Sequence, residues 1–136
     1  MLRAGLAFVC LLASTACDEK SPVGPSVPLN QQFTLAPGEI ASIEGASVRL
    51  QFVRVAEDSR CPADVFCVWA GDAIVRLRAV DADGPADYEL HTNNSRVRSV
   101  IHRDIRVDLV HVQPYPFSNR AIDPSEYRAT FTATRP

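Results

Sequence analysis

The sequence predicts an all-β fold, an antiparallel β-sandwich of about seven to eight strands, with a small β-barrel as the alternative closure. Three observations predict it. From Leu29 onward apolar and polar residues alternate with a period of two. Turn-forming pairs punctuate the chain at short intervals. No segment holds a 3.6-residue apolar period over three turns.

The strands can be justified in order. Phe33 and Leu35 alternate with polar neighbours before Pro37-Gly38 turns the chain. Val48, Leu50 and Phe52 alternate with Arg49 and Gln51, after a turn at Glu44-Gly45. Val75, Leu77 and Ala79 alternate with Arg76 and Arg78, and Asp83-Gly84-Pro85 follows as a turn. Tyr88 and Leu90 form the next strand, closed by Asn93-Asn94. Tyr127, Ala129 and Phe131 alternate with Arg128, Thr130 and Thr132. The stretch Ala121 to Tyr127 predicts one helical turn started at Asp123 with Pro124 in first position, where the missing N–H costs nothing.

An internal echo adds detail. Val48 to Val55 (VRLQFVRV) and Ile105 to Val112 (IRVDLVHV) share the pattern apolar-Arg-apolar-polar-apolar-Val-basic-Val. In both, the alternation slips phase at the fifth and sixth residues, Phe52-Val53 and Leu109-Val110. A one-residue slip moves side chains to the opposite face, so a β-bulge or a strand crossing between sheets is expected at each.

The N-terminus reads as an address. Met1-Leu2-Arg3, the apolar run Leu6 to Ala13 and the small residues Ser14-Thr15-Ala16 form a bacterial secretory signal. Small residues directly before Cys17 resemble a lipobox, although Ser14 stands where that motif prefers Leu; ordinary signal peptidase could also cut after Ala16. The resemblance implies acylation of Cys17 and anchoring in the cell envelope. Residues 1–16 are then signal peptide, 17–28 the lipidated cysteine and a flexible tether holding three prolines, and 29–136 the β domain. Cysteine parity agrees: with Cys10 removed and Cys17 acylated, Cys61 and Cys67 remain as an even pair for an oxidising compartment.

Asp58 to Ala73 (DSRCPADVFCVWAGDA) is the unusual segment. A Cys61–Cys67 disulfide would close a short loop feeding a strand whose Trp69 fills the core. The competing reading presents the loop as an interaction surface, with Asp58, Arg60, Asp64, Phe66 and Trp69 as contact residues, since Trp and Arg are common hot-spot residues. Arg60 between Asp58 and Asp64 is equally a local ion pair. The run DSRCP followed by CVWAG, with the later Pro114-Tyr115-Pro116, resembles a motif of small uncharacterised bacterial lipoproteins and secreted proteins. That resemblance covers about Phe33 to Phe131 and implies an anchored all-β domain but no activity.

Other chemistry finds little support. Net charge is −2, without the basic excess of a nucleic-acid binder, and no nucleic-acid partner is expected. There is no Gly-x-Ser-x-Gly, His-Glu-x-x-His or phosphate-binding glycine loop, so no catalytic residue is assigned and an enzyme is not expected. His91, His102 and His111 are widely spaced and read as solvated strand residues, and Asp81, Asp83 and Asp87 as a solvated acidic turn. No cofactor or metal is expected. The expected partners are the membrane, through lipid on Cys17, and an envelope protein or glycan. The alternatives are a thiol–disulfide redox protein using Cys61 and Cys67, or a protease inhibitor presenting their loop.

Overall fold

The computed structural model describes residues 24–136. The expected signal peptide, Cys17 and the expected tether as far as Val23 lie outside the described residues. Nine strands occur in chain order: β1 (Ser26–Val27), β2 (Gln32–Leu35), β3 (Ile40–Ile43), β4 (Arg49–Asp58), β5 (Ala73–Asp81), β6 (Gly84–His91), β7 (Ser99–His102), β8 (Ile105–Gln113) and β9 (Arg128–Thr134). They form two open sheets, ordered β1-β3-β4-β5-β6 and β2-β9-β8-β7. The molecule is therefore a β-sandwich and not a closed barrel. Ahead of Leu29, β1 adds in parallel to β3 and buries Val27.

Alternation places the core between the sheets. Along β5, Ala73, Val75, Leu77 and Ala79 are buried while their neighbours are partly exposed. Phe131 of β9 meets Phe52 of β4 edge-on across the interface, with ring centroids 6.3 Å apart, and tilts against Phe33 of β2 at 5.9 Å. Such pairs add about 0.5–1.5 kcal/mol each beyond their area burial.

Both phase slips become bulges. The β4–β5 register shifts between Phe52 and Arg54, and the β8–β9 register shifts between Leu109 and His111. The two echoing strands take inner positions, one in each sheet. The turn at Asp123 is a single 3-10 turn, Pro124–Glu126, with Asp123 as N-cap and Glu126 completing the capping box.

The two ends of the sandwich differ in chemistry. At one end, the turns β5–β6 and β7–β8 are joined by charge. Asp81 accepts from Arg103 Nε at 2.7 Å and from His102 Nε2 at 3.0 Å, and Arg103 also pairs with Asp83. Arg135 pairs with Asp104 at 2.7 Å. His102 is buried, not solvated as expected, with its Nδ1 2.8 Å from the Tyr88 hydroxyl. Asp81 is likewise no solvated turn residue; Arg103, with the Asp83 N–H, pulls its pKa down to about 2. The opposite end carries the Cys61–Cys67 loop.

Candidate interaction surface

The loop end is built around Arg60, just past the end of β4. Arg60 is 8% exposed. Its Nε and Nη2 donate to the two carboxylate oxygens of Asp58 at 2.8 and 2.6 Å, in the bidentate fork that suits a guanidinium. Nη1 donates to the Val112 carbonyl at 2.7 Å and Nη2 to the Pro114 carbonyl at 2.9 Å. The guanidinium carbon lies 5.2 Å from the centroid of the Tyr115 ring, within cation–π range. The Tyr127 hydroxyl donates to Asp58 at 3.0 Å. Burial opposes the charge of Asp58, but Arg60 and the Tyr127 hydroxyl outweigh it and hold the carboxyl below its usual range. Burial, together with the Asp58 charge, pushes Tyr127 up to about 12.

Local sequence explains the geometry. The Asp58 carboxylate also accepts the Arg60 N–H at 3.2 Å, an Asx-type bond two residues on that turns the chain inward. Ser59 N donates to the Asp72 carbonyl at 2.7 Å, and Cys61 N to Ala70 O at 3.1 Å, so the two loop stems run together. Gly71 sits where they cross, at φ +69, and a Cβ there would lie 1.8 Å from Ser59 O. Only glycine fits. Asp72 then closes the stem: its Oδ2 is 2.5 Å from His91 Nδ1 and its Oδ1 accepts Asn93 N at 3.0 Å. His91 too is partly buried, against expectation.

Between these stems the Cys61–Cys67 disulfide is formed, with Cα atoms 5.9 Å apart. Ala63 N donates to Pro116 O at 2.9 Å, and Asp64 accepts Ser118 N at 2.9 Å and Ser118 Oγ at 2.5 Å. The DSRCP–CVWAG segment and the Pro114-Tyr115-Pro116 segment thus fold as one unit, although 54 positions separate Arg60 from Pro114.

The residues singled out from sequence divide. Asp58 and Arg60 point inward as a clamp and are not available as a contact surface. Asp64 ties the loop to Ser118. Phe66, at 108% of its reference exposure, and Trp69, at 82%, stand in solvent. The expectation that Trp69 fills the core is overturned: β5 begins only at Ala73, because the Ala70 and Asp72 carbonyls are tied back onto β4's exit. Val65 and Val68 are exposed in the same segment, and Tyr115 and Phe117 in the segment bonded to it, which makes an apolar tip. Sequence reasoning did not identify Tyr127 as a member of the clamp; its place in an alternating strand gave no signal. Tyr115 was marked in the sequence only as part of Pro114-Tyr115-Pro116.

Next to the tip lies a concave groove of about 690 Å³, with Arg60, Asn93, Asn94, Arg98, His111 and Tyr115 in its lining. Among the described residues, no three His, Cys, Asp or Glu side chains converge as metal ligands, and no helix is long and apolar enough to cross a membrane. Fold and site define a β-sandwich with one ionic end and one apolar, disulfide-stapled end. Comparison with known proteins found no matching family model, curated protein or solved structure.

Proposed function

We propose that this chain is an envelope-anchored bacterial lipoprotein whose β-sandwich serves as an interaction module, with the Cys61–Cys67 loop end as its contact surface. The observation that carries the reading is the pair Phe66 and Trp69, held in solvent on a base that Arg60, Gly71 and the disulfide clamp. Large aromatic groups on a rigid support lose little conformational entropy on binding, which is the condition for a hot spot. The lipobox-like sequence before Cys17 supplies the anchoring half of the reading.

The test places a photo-crosslinking amino acid at Phe66 or, at the ionic end, at Asp83, in cells making the full chain. Adducts that form from position 66 and not from position 83 support the contact surface. Equal labelling from both, or none from position 66, refutes it. Intact mass of the membrane-extracted protein checks the anchor: a chain beginning at Cys17 and carrying acyl groups is the expected result.

A further inference from the structure

Resting on that reading, we propose that the surface met by Phe66 and Trp69 is the phospholipid bilayer itself, so that the domain stands loop end down on the membrane holding its anchor. Three observations lead there.

The first is shape and chemistry. Phe66, Val68 and Trp69 project almost fully into solvent, whereas small ligands are taken in clefts. The exposed side chains of the tip are Val65, Phe66, Val68 and Trp69, with Tyr115 and Phe117 alongside. Aliphatic groups and Phe favour the acyl boundary, and Trp and Tyr favour the headgroup level. Asp64, in the same loop, accepts two hydrogen bonds from Ser118.

The second is polarity of the whole molecule. The far end is an ionic network of Asp81, Asp83, Arg103, Asp104 and Arg135, which suits water.

The third is the direction of the chain. Gly24 lies against Ile40, which pairs with Gln51 of β4, and β1 runs parallel to β3. From Gly24 onward the chain therefore runs away from the loop end. Cys17 to Val23 can span at most about 25 Å, comparable with the roughly 23 Å that β4 covers from Gln51 to Asp58. That length, fully extended, reaches the level of Asp58 at the base of the loop, so an anchor on Cys17 would keep the loop end close to the bilayer.

The chain has one tryptophan, so Trp69 reports on its own surroundings. The anchored protein is extracted, its acyl mass checked, and it is reconstituted in phosphatidylethanolamine–phosphatidylglycerol vesicles with or without brominated acyl chains. The expected result is Trp69 emission shifted to shorter wavelength and quenched by the brominated lipid. Phe66→Ala should reduce that quenching. In a Cys17→Ser protein, Phe66→Ala should lower vesicle partition on the order of tenfold. An acylated protein whose Trp69 escapes brominated lipid but is quenched by aqueous iodide overturns the bilayer contact alone. Crosslinks from position 66 to protein in place of lipid overturn it as well. An unacylated mass overturns the anchoring reading instead, and so the two failures are distinguishable.

Discussion

Arg60 brings a full positive charge to a place that water barely reaches, and it is met there by a carboxylate, two main-chain carbonyls and an aromatic face. Removing one member of a buried pair strands the other. Arg60→Ala should therefore destabilise the domain by about 3–5 kcal/mol in urea unfolding. Arg60→Lys should recover little, since an ammonium cannot fork across both Asp58 oxygens while reaching Val112. Gly71 is the second sensitive position. Gly71→Ala must strain a left-handed backbone and also displace Ser59, for a loss of at least ~2 kcal/mol. Gly45→Ala, at φ +73 but with nothing within 4 Å of the added carbon, should lose only about 1 kcal/mol. Comparable losses at the two glycines would refute the crossing-strand account of Gly71.

At the scale of elements, the Cys61 loop is a separable attachment to a sandwich that does not need it. The core residues Phe52, Leu77, Ile105 and Phe131 belong to paired strands well away from the disulfide. In the chain-entropy view so short a closed loop contributes only ~2–2.5 kcal/mol. The double variant Cys61→Ser, Cys67→Ser should lose that much in thermal or urea unfolding, yet keep its strand circular dichroism. Collapse of the fold on reduction would show that the loop nucleates the sandwich. The paired bulges in β4 and β8 illustrate the same level of organisation. Each occurs where apolar residues stand side by side, and each twists an inner strand so that residues past the slip are re-aimed. In β4 a second register shift, between Val55 and Glu57, follows before the chain reaches Asp58 and the clamp.

For the whole molecule, exposure of the only tryptophan separates stability from function. Trp69→Ala should change unfolding free energy by less than about 0.5 kcal/mol, as for other surface changes. Phe131→Ala, which empties the centre between the sheets, should lose about 3–5 kcal/mol. Stability should also depend on pH at both extremes. Asp58 and Asp81 have folded pKa values below the ordinary carboxylate range, that of Asp81 about 2. Their contribution is complete above the unfolded value of about 3.9 and is lost as pH falls through the folded values. Tyr127, raised to about 12, contributes in full below its ordinary value of 10.0 and loses that contribution as pH rises toward 12. Unfolding followed across pH should thus show an acid loss removed in part by Asp81→Asn and an alkaline loss removed by Tyr127→Phe.

Alternation with a period of two was enough to determine the class of fold, because one face of each strand must leave water and the other must not. It located most strands, and the broken phase at Phe52-Val53 and Leu109-Val110 marked both bulges before any pairing was known. Asp123 and Pro124 marked their own turn, since capping is a local bond. Parity marked the Cys61–Cys67 pair. What only the tertiary structure decided lies where partners are distant in sequence or where backbone, not side chain, sets direction. Trp69 looked like a core residue by its type, and it faces solvent because the Cys61–Ala70 and Ser59–Asp72 main-chain bonds hold its segment off the sheet. Arg60 and His102 looked like surface residues by their charge, and they are buried because Val112, Pro114, Tyr88 and Asp81 satisfy them from other strands and turns. A residue's type states what its burial would cost, and only the assembled sheets supply the partners that offset it.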